Sequence, residues 1–258
     1  MRLPVLVLAL LAASPASACG PDTDCIIDNG SYRIALPDGA PAGAVFFAHG
    51  YRGSAAGMMR NDRLRDMTDA RGLALVALKS AGEDWTLPNA PGAGETLLRD
   101  EPAYIARVQA DVAQRFAIDP ARMILAGFSA GGMMTWTMAC DRPEAFAAYI
   151  PISGTFWDPV PLACPGDPAT VHHIHGTADP VVPIAGRPIA ETRQGNVMQA
   201  LAMYRAKGLD ASVPFALADL DCEAWTDGAE TLSYCLHPGG HSFSVDWVGA
   251  LWDRTFPD

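Results

Sequence analysis

A chain of 258 residues, half of them hydrophobic, is long enough to bury a sizeable core, which argues for one folded domain or at most two and against disorder. Its formal net charge of −11 argues against a nucleic-acid partner, because an acidic surface repels phosphate backbones. The same charge offers no basic patch to an anionic membrane.

The chain opens on a signal-peptide pattern. Arg2 supplies the positive start, Leu3 to Ala13 the apolar run, and Ala16-Ser17-Ala18 a small-residue cleavage site. The run is too short to span a bilayer. The expectation is a mature chain over residues 19–258, a single catalytic domain, secreted or periplasmic. Cys19 directly after the cut keeps a lipid anchor as the competing expectation, and hence no membrane association unless Cys19 is lipidated. Ala16 stands where lipoprotein signals usually carry Leu.

Beyond the signal, short apolar runs alternate with helical patterns. Ala44–Ala48 (AVFFA) and Leu73–Leu78 (LALVAL) read as buried strands. Pro102–Phe116 carries Ile105, Val108, Val112 and Phe116 at helical spacing. Met123–Ala126 is a third strand, Gly131–Cys140 a helix, and Ala147–Ile152 and Val171–His175 two further strands. Asn196–Lys207 is a helix, Glu230–Leu236 a β-like run, and Val245–Trp252 a last helix. Continuous apolar strands alternating with helices predict an α/β fold, a mostly parallel central sheet with helices on both faces. In such sheets sites form beyond the carboxyl ends of the strands.

One such end carries Gly127-Phe128-Ser129-Ala130-Gly131, a G-x-S-x-G between a strand and a helix. A sharp strand-to-helix turn exposes the serine at a helix N-terminus, and the flanking glycines relieve crowding. A serine hydroxyl needs a base. His241, in the loop Pro238-Gly239-Gly240-His241 before the last helix, is the candidate. The chain order Ser…Asp…His then needs an acid between them. Asp179, in His175-Gly176-Thr177-Ala178-Asp179-Pro180, is the candidate, with Asp167, Asp219 and Asp221 as fallbacks. An oxyanion needs backbone donors: Ala130 N–H after the nucleophile, and Tyr51 N–H, with Arg52 as the near alternative, from the loop His49-Gly50-Tyr51-Arg52-Gly53. His49 is expected to shape that loop. His173 and His175 share a strand face, but two ligands do not make a metal site, so neither metal nor other cofactor is expected. Trp136 is expected to be buried. The six cysteines of an exported chain suggest disulfides, and pairing of neighbours in sequence is expected: Cys19–Cys25, Cys140–Cys164 and Cys222–Cys235.

Taken together, these residues resemble the polyhydroxybutyrate depolymerase/feruloyl esterase group of α/β-hydrolases (carbohydrate esterase family 1-like), over roughly residues 32–247. The resemblance rests on the His49-Gly50 loop with Ser54, on Ile118-Asp119-Pro120 through Ser129-Ala130-Gly131-Gly132-Met133, and on Ala139-Cys140. It continues through Phe146-Ala147-Ala148, Ser153-Gly154, His175-Gly176-Thr177-Ala178-Asp179 and Gly239-Gly240-His241. It implies a serine esterase acting on small or oligomeric esters of feruloyl, acetyl or hydroxyalkanoate type. A polyester depolymerase is the alternative, and a catalytically silent binding protein a lesser one. The chain departs from extracellular polymer depolymerases in lacking a linker and an extra substrate-binding module. Tyr51 also stands where many relatives have cysteine. Trp85, Trp157 and Arg52 are expected to rim the site and contact substrate, the tryptophans as exposed aromatics. Nothing in the sequence assigns an oligomeric state.

Overall fold

The computed structural model describes residues 19–91 and 98–257. The signal-peptide reading of Met1–Ala18 lies outside the described residues. In chain order the elements are β1 (Cys25–Ile27), β2 (Gly30–Ala35), β3 (Gly43–Ala48), α1 (Ala55–Met59), α2 (Asp62–Asp69), β4 (Leu73–Leu78) and α3 (Glu101–Phe116). They continue with β5 (Met123–Phe128), α4 (Ala130–Asp141), β6 (Ala148–Ile152), β7 (Val171–Gly176), and a small hairpin of β8 (Pro188–Ile189) and β9 (Thr192–Arg193). Last come α5 (Val197–Arg205), β10 (Ala211–Val213), β11 (Ala216–Leu217), β12 (Leu220–Thr226), β13 (Thr231–His237) and α6 (Val245–Thr255).

One sheet runs in the order β1-β2-β4-β3-β5-β6-β7-β13-β12-β10, with β11 beside β12. Its centre, β4 through β13, is parallel, and both margins are antiparallel. Every residue of β3 and β4 is buried because helices cover both faces, which is why these strands read as unbroken apolar runs. Alternation survives underneath. Phe46, Val76, Leu125 and Tyr149 point to the face of α3, α4 and α5, while Phe47, Leu75, Ile124 and Ile150 point to that of α1, α2 and α6. α4 lies at the middle of the sheet against β3, β5 and β6 and is buried along most of its circumference.

The predicted central strands and the four long helices are all present, with ends shifted by at most three residues. α1, α2 and the antiparallel margins carry no comparable pattern. α2 (DRLRDMTD) buries only Leu64, Met67 and Thr68, so its sequence looks like loop. The three disulfides join Cys19–Cys25, Cys140–Cys164 and Cys222–Cys235, the pairing expected from sequence. Cys222 and Cys235 face each other across β12 and β13. Among the described residues no helix is long and apolar enough to cross a membrane.

Candidate active site

The parallel strands end together, and four connections meet there, those after β3, β5, β7 and β13. β5 runs directly into α4 through Ser129, which holds φ 59° and ψ −120°. That conformation costs a non-glycine residue about 1–3 kcal/mol and persists only where packing dictates it. Here it does. A Cβ on Gly131 would overlap the Ala48 carbonyl, and one on Gly127 the carbonyl of Gly131, so α4 can approach β3 and β5 only with glycine at both positions. Ser129 N–H donates to Ile152 O at 2.9 Å, locking the turn to β6.

The side chain of Ser129 is unusual among the helix starts. Ser54, Asn61, Asp100, Asn196 and Ser244, at the N-caps of α1, α2, α3, α5 and α6, each accept a hydrogen bond from their own first turn. Ser129 makes no such bond, because its positive φ turns the hydroxyl away from the helix. Its Oγ is left at the positive end of the α4 dipole.

Two further loops follow β7 and β13. Their backbones are stitched together: Thr177 N–H donates to His237 O at 2.9 Å and Ala178 N–H to Gly239 O at 3.1 Å. The parallel register that sets Gly176 beside His237 brings residues 62 apart in sequence into contact. His241 Nδ1 donates to Asp179 Oδ2 at 2.7 Å, and Oδ1 of the same carboxylate accepts from Val181 N–H and Val182 N–H at 2.8 and 2.9 Å. Burial works against the Asp179 anion, but the bonds from His241 and the two amides outweigh it and hold the carboxyl below its ordinary range. An ionised Asp179 only accepts, so Nδ1 carries the imidazole proton and Nε2 is the free basic atom. The His241 ring lies 4.7 Å from that of Phe128, the residue before Ser129. Of the fallback acids, Asp219 instead accepts from Trp247 Nε1 at 2.9 Å.

The loop after β3 closes the other side of Ser129. Arg52 N–H is committed to Glu83 O at 2.9 Å, whereas Tyr51 N–H and Ala130 N–H have no acceptor among the described residues. Tyr51 is 56% exposed, with the Arg52 guanidinium 5.0 Å above its ring and Arg52 Nε 3.2 Å from Glu83. His49 is buried and bonds the Gly50 carbonyl through Nδ1 at 2.8 Å, a loop-shaping contact as expected.

The expected exposed tryptophans are a correction. Trp85 is 2% exposed and gives its indole N–H to His49 O at 2.7 Å, so it is a strut beneath the loop of Tyr51. Trp157 is 8% exposed and bridges to Gln194 by its backbone, its ring lining a narrow cleft of about 90 Å³ beside Met133 and Phe156 on the flank of α4. Both lie in loops, which sequence reasoning took as exposed, but these loops fold back over α4 and β3. Sequence reasoning named Gly154 only within the family resemblance and missed its role: a Cβ there, just past β6, would strike the Ser129 carbonyl. Another omission is His237, whose Nδ1 accepts from Gly239 N–H at 3.1 Å and shapes the turn that carries His241.

A family model described as phospholipase/carboxylesterase matches residues 87–214. "Putative esterase NocK" of Nocardia uniformis is 31% identical over 250 residues, spanning 86% of this chain and 69% of that protein. The chain belongs to the esterase group of the α/β-hydrolases. "Feruloyl esterase C" of Emericella nidulans is 28% identical to this esterase over 167 residues, covering 62% of the chain and 58% of the relative. Among solved structures, an acetyl xylan esterase from Aspergillus awamori superposes with a TM-score of 0.58 at 15% identity, over 83% of this chain and 89% of that one. Esterase PE8 superposes with a TM-score of 0.57 at 21% identity, over 87% and 98%. At these identities the structural likeness is one of fold.

Proposed function

We propose that this esterase hydrolyses carboxylic esters through Ser129 as nucleophile, His241 as general base and Asp179 as the acid that orients it. One observation carries the proposal: His241, bonded to Asp179 at 2.7 Å, packs its ring 4.7 Å from that of Phe128, the residue before an uncapped, strained Ser129 at a helix N-terminus. In the reaction, Oγ attacks the ester carbonyl while His241 Nε2 takes its proton. The oxyanion forms against the free amides of Ala130 and Tyr51, and the alcohol leaves with the proton from His241. Water then attacks the acyl-serine by the same steps. Asp179 stays ionised throughout and stabilises the imidazolium.

The substrates are small or oligomeric esters of short-chain or aromatic acids. With Trp85 and Trp157 buried, Tyr51 and Arg52 are the side chains that meet solvent beside the amide donors. The catalytic domain comprises residues 19–258 and is exported after removal of residues 1–18, a setting in which three disulfides persist.

Ser129→Ala is expected to lower kcat on p-nitrophenyl acetate by a factor on the order of 10⁶ with the fold retained. Asp179→Asn is expected to lower it by a factor on the order of 10⁴. A residual activity above a percent in Ser129→Ala, or no covalent adduct of the native protein with a serine-reactive phosphonate, overturns the assignment. Initial rates on p-nitrophenyl acetate, methyl ferulate and a hydroxybutyrate dimer should exceed release from a polyhydroxybutyrate film at equal enzyme; the reverse order favours the depolymerase reading.

A further inference from the structure

Behind the Asp179 loop lies a row of buried polar groups that the proposed reaction does not use. Trp136 Nε1, on α4, is 3.1 Å from His173 Nδ1. His173 Nε2 is 3.1 Å from His175 Nδ1, and His175 Nε2 is 2.7 Å from Val182 O and 3.7 Å from Asp179 Oδ2. The three side chains are fully buried.

The ends of this row fix every proton in it. An indole N–H only donates, so His173 Nδ1 accepts. A neutral His173 then carries its proton on Nε2 and donates it to His175 Nδ1. His175 in turn carries its proton on Nε2 and donates to Val182 O, which only accepts. One proton per ring satisfies all four ring nitrogens. A second proton on either ring would set N–H against N–H, and burial also disfavours the cationic form of both. The row is therefore a directed, neutral relay of dipoles running from α4 to the loop after β7.

Its last member grips the residue that grips Asp179. Val182 receives His175 on its carbonyl and donates its amide to Asp179 Oδ1 at 2.9 Å. The positive end of the His175 N–H dipole also faces Oδ2, the oxygen that His241 uses. We propose that His175, oriented by His173 and Trp136, is a positioning residue that sets the place of the Asp179 carboxylate and through it the angle of His241. The proposal rests on the triad reading above. Small displacements of this kind, remote from the reacting atoms, cost as much as 10²-fold in rate.

The test is steady-state kinetics of variants at equal fold content. His175→Phe, which keeps the ring and loses the donor, is expected to lower kcat by 10- to 100-fold with KM within twofold. His175→Gln, whose amide N–H can occupy the Nε2 position, is expected to retain kcat within threefold. If the phenylalanine variant does not fold, His175→Asn replaces it, because its shorter side chain cannot reach Val182. His172→Phe is the control: His172 is buried on the other face of β7, bonded to Ser233 Oγ at 2.8 Å, so its loss lowers the melting temperature without lowering kcat. In an Asp179→Asn background, His175→Phe is expected to cost less than threefold, since the carboxylate it positions is gone. Wild-type kcat in His175→Phe, a loss confined to KM, equal losses in His175→Phe and His172→Phe, or full additivity with Asp179→Asn overturns the proposal. Should Asp179→Asn itself keep full activity, it is the triad reading that fails.

Discussion

Two loops, one bracing the loop of Tyr51 and one carrying Asp179, are each propped from below by buried polar side chains, and the two props are built on opposite electrostatic principles. Under the loop after β4, Arg99 and Glu101 form an ion pair at 2.5 Å whose side chains are 5% and 0% exposed. Arg99 also donates to Lys79 O at 2.7 Å, and Glu101 Oε1 accepts from Ala81 N–H and Thr86 N–H at 3.3 Å. That loop then presents Trp85 to His49 O and Glu83 O to Arg52 N–H. Under the loop after β7, the prop is Trp136, His173 and His175, with no net charge. Burial pushes Glu101 up from its ordinary range, against the pull of Arg99, whereas the imidazoles escape the cost of a buried charge by remaining neutral. A charged prop binds backbone strongly at several points but fails badly if half of it is lost. A neutral prop is weaker but loses little more than its own hydrogen bonds. The loop beside the proposed oxyanion donors has the first kind, and the loop that carries the proposed acid has the second.

The largest stability effect should come from breaking the charged prop. Glu101→Gln leaves the Arg99 guanidinium buried without its counter-charge and should cost about 3–5 kcal/mol in urea unfolding. The comparison sharpens with the double replacement Arg99→Met/Glu101→Leu, which removes both charges and should be markedly more stable than Glu101→Gln alone. If the single and double variants are equally unstable, the pair acts through its hydrogen bonds to Lys79, Ala81 and Thr86, and the contrast between the two props dissolves.

Breaking the neutral prop should cost less. His173→Phe leaves Trp136 N–H without an acceptor and His175 Nδ1 without a donor, a loss of about 1–3 kcal/mol. A loss as large as that of Glu101→Gln would show that the relay carries charge. Its stability contribution should also be flat with pH from neutrality upward, because both rings have lowered pKa values and stay neutral there.

The smallest effect belongs to exposed charge. Asp24, near the edge hairpin, accepts from Lys79 Nζ at 2.6 Å and Arg33 Nε at 2.7 Å, and these bonds overcome partial burial to bring its pKa down to about 2. A depressed carboxyl pKa stabilises above the unfolded value, and the contribution is lost as pH falls toward about 2. Asp24→Asn should therefore lower the melting temperature slightly at pH 6 and flatten its decline between about pH 4 and 2. An unchanged acid limb would mean that solvent screens the cluster completely. Glu83→Ala, which removes an ion pair open to solvent on both sides, should leave the melting temperature unchanged.

Local pattern was enough to read the catalytic candidates and the central sheet. G-x-S-x-G needs only six residues of β5, a turn and a helix start, and its glycines are demanded by contacts within that turn and with the adjacent strand. Unbroken apolar strands and 3.6-residue helical spacing likewise report burial on both faces, a property each segment carries in its own composition. The order Ser129, Asp179, His241 was legible for the same reason, since each stands just past a strand that could be recognised alone. The disulfides could be paired because each joins cysteines close in the chain, at separations of 6, 24 and 13 residues.

What only the tertiary structure decided is what lies under the loops. Nothing local to Trp85 says that its indole will reach His49, and nothing local to Arg99 and Glu101 says that a polar pair at a helix start will be buried beneath β4's loop. His173 and His175 could be placed on one strand face but not given partners, because Trp136 reaches them from a helix 37 residues earlier in sequence. Burial of a polar group is settled by what packs over it from elsewhere in the chain, and its protonation by the donors and acceptors that packing supplies. Neither quantity is a property of the residue or of its neighbours in sequence.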